Sequence, residues 1–120
     1  MSDHNELGKV GEKMAADHLE KKGFKILHKN YYYGKAEVDI VAMKDNQVVF
    51  VEVKTRESSY LSGPEYTVSL KKQKQIIKAA DAYLKEFNLE QESRFDIITI
   101  IVNSQYSKLD HMEGAFFPTL

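Results

Sequence analysis

Residues 36–56, Ala36-Glu-Val-Asp39-Ile-Val-Ala-Met-Lys-Asp-Asn-Gln-Val-Val-Phe-Val-Glu52-Val-Lys54-Thr-Arg56, decide the fold. Two apolar runs flank a short polar turn at residues 44–47, a pattern that predicts a β-hairpin. Asp39 interrupts the first run, and Glu52 and Lys54 interrupt the second. Charges in such apolar strands require a chemical reason, because burying an unpaired charge costs free energy.

Strand alternation predicts that Glu52 and Lys54 point to the same face, about 7 Å apart along the strand. The short turn sets Asp39 opposite Glu52, so two carboxylates lie side by side. Two close carboxylates repel each other unless one is protonated or a cation lies between them. Asp39, Glu52 and the carbonyl of Val53 are therefore the predicted ligands of a hard divalent cation, Mg²⁺ or Mn²⁺.

The rest of the chain predicts an α/β protein with an αβββαβ core, in which a mixed sheet is flanked by helices. The second helix connects the third and fourth strands, and such a crossover makes them parallel. The whole of residues 1–120 is predicted to form one domain. The predicted elements are a helix over 4–22, strands over Phe24–Tyr33, Glu37–Met43 and Val48–Thr55, a loop over Glu57–Thr67, a helix from Ser69 to about Phe87, a strand over Arg94–Val102 and a short edge element at Asp110–Phe117.

Alternation also assigns side chains to the two faces of each strand. On the first strand it places Phe24, Ile26 and His28 together. On the second strand it places Val38, Ile40 and Ala42 together, with Glu37, Asp39 and Val41 on the opposite face.

Composition limits the classes of function. The 120 residues are 42% hydrophobic and carry 17 basic and 18 acidic side chains, a formal net charge of −1. This balance argues against a strongly basic nucleic-acid coat protein or a membrane-surface binder, although a nucleic-acid enzyme needs only a local basic patch. The chain has no cysteine, which excludes disulfides and cysteine metal sites. The polar N-terminus, with no apolar segment, predicts a cytoplasmic protein without membrane contact.

Lysines at 71, 72, 74 and 78 crowd the start of the second helix. Cations there oppose the helix macrodipole, whereas a bound phosphate would be favoured by it. The alternative is an ordinary solvated face. Tyr31, Tyr32 and Tyr33, next to Lys29 and Lys35, either stack on bases or are half-buried strand residues.

The predicted site has the composition of a phosphodiester-hydrolysing centre. A cation between the two carboxylates would polarise the scissile phosphate and acidify a water molecule. Lys54 would orient or deprotonate that water and offset charge that develops on phosphorus. Glu12, on the border of the first helix's apolar face, would supply a further carboxylate.

The order Asp39, twelve residues, Glu52-Val-Lys54 resembles the PD-(D/E)xK superfamily, whose fold is restriction-endonuclease-like, and within it the YraN-type family of bacterial predicted endonucleases. The resemblance covers nearly the whole chain, with one departure, Ala36, where the family usually has glycine. The matching stretches are Gly8–Ala15, Gly23–Leu27 with Asn30, Glu37–Ala42, Val49–Arg56, Val68 with Lys72, Arg94–Asp96 and His111–Phe117.

The resemblance implies a nuclease-like domain that hydrolyses DNA with Mg²⁺ or Mn²⁺. Its fold is similar to that of archaeal Holliday-junction resolvases, which implies a homodimer and structure-specific cleavage. The implied catalytic residues are Glu12, Asp39, Glu52 and Lys54, and the implied nucleic-acid-binding residues are Arg56, Lys72 and Gln73.

Two alternatives remain from the residues themselves. One is a non-catalytic nucleic-acid-binding module that retains the nuclease fold, and it predicts salt-sensitive binding without turnover. The other is purely structural, with Glu52 and Lys54 forming a salt-bridged pair at an edge of the sheet.

Overall fold

A computed structural model describes residues 6–58 and 68–118 as two helices and one five-stranded sheet. The αβββαβ order predicted from the sequence is confirmed, and the final edge element is longer than predicted. The predicted loop at 57–67 lies largely outside the described residues. The elements are α1 (Glu6–Lys21), β1 (Lys25–Tyr33), β2 (Ala36–Lys44), β3 (Gln47–Arg56), α2 (Leu70–Glu86), β4 (Glu92–Val102) and β5 (Ser107–Phe116).

The sheet is mixed, with the strands in the order β1-β2-β3-β4-β5. All neighbouring pairs are antiparallel except β3 and β4, which are parallel and connected through α2. The β2–β3 turn contains Asp45 at φ 53° and Asn46 at φ 65°. Two successive positive φ angles are typical of a type I′ turn, whose twist matches that of the flanking strands. The turn sets Lys44 opposite Gln47 and thereby fixes the register of the hairpin.

Each face of the sheet carries its own apolar core. Ser69 begins α2 as its N-cap, because its side chain accepts a hydrogen bond from the Lys72 amide. The core on the α2 face includes Val41, Phe50 and Tyr83, and the core on the α1 face includes Leu19. Within residues 6–58 and 68–118, no helix combines the length and apolar character that crossing a membrane requires.

Two predicted face assignments are wrong, because β1 and β2 are irregular. Ile26 packs on the α1 face, but His28 contacts Tyr83 on the α2 face, since the β1–β2 register shifts between Ile26 and His28. Val38 belongs to the α2-face core and Ile40 to the α1-face core, although alternation placed them together. The change of face falls where β2 stops pairing with β3, beyond Ile40.

Helix α1 approaches β3 closely at Gly11. A Cβ atom at this position would overlap the Thr55 side chain, including its Oγ1 and Cβ atoms. Glycine therefore allows the backbone of α1 to rest on β3, one residue after Lys54. The same contact fixes the position of Glu12, the next residue on the helix.

We expect Gly11→Ala to lower the free energy of unfolding. Alanine favours a helix over glycine by about 1 kcal/mol, but overpacking at such a contact costs about 1–3 kcal/mol. Urea denaturation of Gly11→Ala, and of Gly11→Ala combined with Thr55→Ala, measures the balance. The second substitution should recover part of the loss, because it removes the overlapping Oγ1 and Cγ2 atoms. A stabilised single variant would contradict the close approach.

Candidate functional site

The candidate site forms where β2 separates from β3. Backbone pairing of the two strands runs as far as Ile40 opposite Val51. Asp39 comes one residue beyond this pairing, close enough to Glu52 for the two charges to interact. Here the Asp39 carboxylate replaces the backbone ladder, because its Oδ2 accepts a hydrogen bond of 2.8 Å from the Val53 amide.

A cleft of about 280 Å³ opens at this separation, between the sheet and α2. It brings three carboxylates and two lysines together. Its lining residues are Lys35, Ala36, Glu37, Asp39, Glu52, Lys72, Gln75 and Ile76.

Glu52 is only 6% exposed, and its Oε2 lies 2.6 Å from the Nζ of Lys72 on α2. Burial alone would lower the pKa of Lys72, but its hydrogen bond to Glu52 and the attraction of that charge outweigh burial and raise it. Lys72 is thus a firmly protonated counter-ion. The structural alternative of a Glu52–Lys54 pair at a sheet edge is wrong, because Glu52 pairs with Lys72 and β3 is the central strand.

Asp39 is destabilised as an anion. Burial and then the neighbouring Glu52 charge raise its pKa to about 8, against the opposing effect of the Val53 hydrogen bond. Glu37 and Glu12 add to the repulsion. Without a cation, Asp39 therefore holds a proton at neutral pH.

Lys54 follows Glu52 on the same face of the regular strand β3, as alternation predicted, but it does not line the cleft. Burial, followed by repulsion from Lys72, lowers its pKa, although Glu52 and Asp39 pull in the opposite direction. Its half-buried ammonium group is consequently easier to deprotonate than an ordinary lysine.

The other predicted residues are placed less directly. Glu12 is half-buried on α1 and acts on Asp39 through its charge, but it does not line the cleft. Arg56 is half-buried at the end of β3, where its charge helps to lower the pKa of Lys54. Gln73 donates its side-chain amide to the Val68 carbonyl and likewise lies outside the cleft lining.

Three polar residues of the cleft lining were not predicted as site residues: Glu37, Lys35 and Gln75. Glu37 is held by a hydrogen bond of 2.9 Å from the Asn30 side chain, at the point where Asn30 adopts φ 56°. Its position two residues before Asp39 was the available signal in the sequence. Gln75 carried no such signal, because its role depends on how α2 lies against the sheet.

The donor chemistry of the cleft fits a hard divalent cation. Among the described residues, no group of three or more histidine or carboxylate side chains is already arranged around a metal position. Asp39 and Glu52 offer two carboxylates, whereas Val53, whose carbonyl is the third predicted ligand, does not line the cleft. Mg²⁺ is commonly held by one or two carboxylates and keeps several waters, so this smaller set suits it.

A second polar cluster lies on the α1 face, around the fully buried Asp96. Arg94 binds both Asp96 oxygens at 2.9 Å, and the Gly114 amide donates to Asp96 at 3.0 Å. The His111 Nε2 lies 2.8 Å from Asp96, and its Nδ1 lies 3.0 Å from the Nε2 of His18 on α1. This chain of contacts connects α1 to β4 and β5, and we interpret it as structural.

Comparison with known proteins identifies the family. The model of "Uncharacterised protein family UPF0102" matches residues 11–100. The chain is 48% identical over 120 residues to a UPF0102 protein of Bacteroides thetaiotaomicron, covering 100% of this chain and 99% of that one. It is 46% identical to a UPF0102 protein of Flavobacterium johnsoniae and 45% identical to one of Christiangramia forsetii, each over 98% of both chains. The chain therefore belongs to the UPF0102 family.

We expect Asp39→Asn to stabilise the cation-free protein at alkaline pH. The folded pKa of about 8 exceeds the ordinary value of 3.8, so wild-type stability falls as pH rises from 3.8 to 8. Asparagine keeps an acceptor for Val53 but cannot ionise. With a chelator present, its melting temperature should exceed that of the wild type by roughly 3–8 °C at pH 9.

The difference should largely vanish at pH 5, where Asp39 is protonated and carries no charge. Asp17→Asn is the matched control, because Asp17 is an exposed carboxylate on α1. An Asp39→Asn protein that is no more stable than the wild type at pH 9 would contradict the repulsion.

We expect the cluster around Asp96, which includes His18 and His111, to make the protein less stable in acid. Burial, and then the charges of His111 and Lys22, lower the pKa of His18 against the opposing charge of Glu113. The unfolded chain therefore takes up a proton first as pH falls through 6.5, and the folded state is disfavoured. His18→Gln keeps a donor towards His111 but does not titrate. We expect the melting temperature of the wild type to fall more steeply than that of His18→Gln below pH 6.5, whereas parallel curves would contradict this effect.

Proposed function

We propose that this member of the UPF0102 family is a metal-dependent nuclease of the PD-(D/E)xK type that hydrolyses phosphodiester bonds in DNA. One observation carries the proposal. At the separation of β2 from β3, the half-buried Asp39 lies beside the buried Glu52, and Lys54 is on the same face of β3 as Glu52. This arrangement does not stabilise the fold, because the surroundings of Asp39 raise the free energy of its ionised form. Groups with such perturbed ionisation are concentrated at functional sites.

The cleft supports this chemistry through its oxygen donors. Asp39, Glu52 and the Val53 carbonyl would hold Mg²⁺ or Mn²⁺, which supplies polarisation of the scissile phosphate and acidification of water when bound. Asp39 would lose its proton on binding, so binding should strengthen as pH rises towards 8.

Lys54 is suited to handle the proton of the attacking water. Its lowered pKa brings the ammonium group nearer to the range in which a side chain exchanges protons at neutral pH. While protonated, the same group offsets negative charge that develops on the phosphate oxygens. Its place on the central strand β3 gives it a rigid support.

Lys72 acts as the resident counter-ion of Glu52. Its Nζ is 2.6 Å from Glu52, yet 43% of its side chain remains exposed to solvent. Once Glu52 has another positive partner, the ammonium group is released and can bind a phosphate oxygen. Lys71 and Lys74 on the first turns of α2 extend this basic surface, and Arg56 at the end of β3 adds to it.

A non-catalytic DNA-binding module is the second candidate. The observation that favours it is the Glu52–Lys72 ion pair, which neutralises one of the two carboxylates without a cation. Calorimetry with Mg²⁺ and Mn²⁺ separates the two candidates. Binding that Asp39→Asn abolishes supports the nuclease, and no binding by the wild type supports the module.

Cleavage assays test the proposal directly. We expect the wild type to cut DNA with Mg²⁺ or Mn²⁺, in a screen of duplex, nicked, branched and single-stranded substrates. Lys54→Ala should reduce the rate by roughly 10²–10⁴-fold, the contribution typical of a proton-transfer group. Glu52→Gln should also reduce the rate, because it removes a carboxylate ligand of the cation. Lys85→Ala is the matched control, because Lys85 is an exposed lysine of α2 paired with Asp81.

Circular dichroism should show that all variants remain folded. If the wild type cuts none of these substrates with either metal, or if Lys54→Ala cuts as fast as the wild type, the nuclease proposal fails.

A further inference from the structure

The two edges of the sheet differ in how they are protected. At the β1 edge, Asn30 adopts a left-handed backbone conformation, the register shifts after Ile26, and Lys25 and Lys29 are exposed. Irregular backbone and lysines are the usual devices that prevent a strand from pairing with another chain. No described strand pairs with the outer side of β5 either; this edge also carries an exposed lysine, Lys108, but its backbone irregularity is confined to its far end.

The first part of β5 is a regular strand. Residues 107–112 pair with β4 in one unbroken register, from Ser107 opposite Val102 to Met112 opposite Ile97. The irregularity comes only afterwards, where Gly114 adopts φ 59°. This regular segment can therefore accept a further antiparallel strand along its outer side.

The sequence of the segment is complementary to itself. Lys108 and Asp110 flank Leu109. Their side chains are 63% and 68% exposed, and within one chain the Lys108 Nζ lies 3.9 Å from the Asp110 Oδ2. If two copies pair in antiparallel fashion with Leu109 opposite Leu109, Lys108 of each copy faces Asp110 of the other. The dimer then contains two Lys108–Asp110 pairs across the strands, related by the twofold axis. Opposite charges that face each other on neighbouring strands are favourable.

The same register covers exposed apolar side chains. Tyr106, one residue before β5, is 45% exposed, and Met112 is 59% exposed. With Leu109 on the axis, Tyr106 of one copy stands opposite Met112 of the other, on the same face as the charged pairs. Pairing in this register therefore removes apolar surface from water at both ends of the segment.

We propose that the outer edge of β5 binds a second copy of this chain, antiparallel and centred on Leu109, to form a continuous ten-stranded sheet. The self-complementary order Lys108-Leu109-Asp110 selects a second copy as the occupant, because an unrelated strand would not be expected to present the same charges in reverse. The proposal concerns a surface away from the cleft and does not depend on nuclease activity.

Charge reversal tests the pairing. Sedimentation of the full chain from about 1 μM to about 1 mM, the range of weak complexes, should show a monomer–dimer equilibrium. Lys108→Glu places carboxylates opposite both Asp110 side chains and should raise the dissociation constant roughly tenfold or more, since each change acts twice in the dimer. Lys108→Glu combined with Asp110→Lys should restore it.

Lys85→Glu is the control, because Lys85 also pairs with an aspartate on the surface but lies on α2. A wild type that stays monomeric throughout overturns the proposal, and this result would leave the edge to a different partner. Equal dissociation constants for the wild type and Lys108→Glu overturn it as well. Failure of the double reversal to rescue overturns the register.

Cysteine cross-linking tests the axis independently, because the chain has no cysteine of its own. Facing residues on antiparallel strands have Cα atoms about 4.5–5.5 Å apart, within the reach of a disulfide. Leu109→Cys should therefore form a covalent dimer on mild oxidation. Ser107→Cys should not, because its two copies would lie about 13 Å apart along the strands.

Circular dichroism shows whether Leu109→Cys remains folded, since Leu109 packs partly against the α1-face core. A folded Leu109→Cys protein that cross-links no faster than Ser107→Cys would place the axis elsewhere and overturn the proposal.

Discussion

The hydrogen bond from the Val53 amide to the Asp39 carboxylate is the contact on which the site depends. It lies where β2 stops pairing with β3, at a position that would otherwise leave a backbone donor without its strand partner. A buried donor without a partner costs about 1–3 kcal/mol. The Asp39 side chain satisfies it, and the two strands can separate to open the cleft. The same bond engages one of the two carboxylate oxygens of Asp39, and Asp39 lines the cleft.

The separation of the strands brings two carboxylates close together. Without a cation, the protein compensates their charge with a proton and an ammonium group, both of which can be displaced. Asp39 keeps a proton up to a pH of about 8, and Glu52 forms an ion pair with the ammonium group of Lys72. Neither compensation is permanent, because a proton exchanges readily and Lys72 is a long side chain that is partly exposed. The charges of Asp39 and Glu52 are thus compensated in the absence of a ligand by groups that a cation can displace.

Most of the fold could be predicted because its signals are local. The type I′ turn at Asp45 and Asn46 fixed the β2–β3 register, and the regular β3 strand put Glu52 and Lys54 on one face. The errors arose where geometry departs from alternation, at His28 and Val38. Those departures depend on a register shift in β1 and on the end of pairing in β2, which no short window of sequence encodes.

The ion partners in the site could not be predicted from spacing. Lys72 reaches Glu52 only because α2 crosses over the sheet between β3 and β4, a tertiary relation that brings residues 20 positions apart into contact. The Asp96 cluster is similar, since its partners come from α1, β4 and β5. Sequence identified the charged residues in the strands, and only the three-dimensional arrangement identified what neutralises each of them.

The two buried carboxylate clusters are opposites in their electrostatics, and this contrast separates structural from functional charge. Asp96 receives hydrogen bonds from His111, Arg94 and Gly114, which overcome burial and hold its pKa below the ordinary value. Asp39 receives one such bond and faces a second carboxylate, so its pKa rises. A fold that can satisfy one buried aspartate so fully has no structural need to leave another under-satisfied. The deficit at Asp39 is the feature on which the proposed cation site rests.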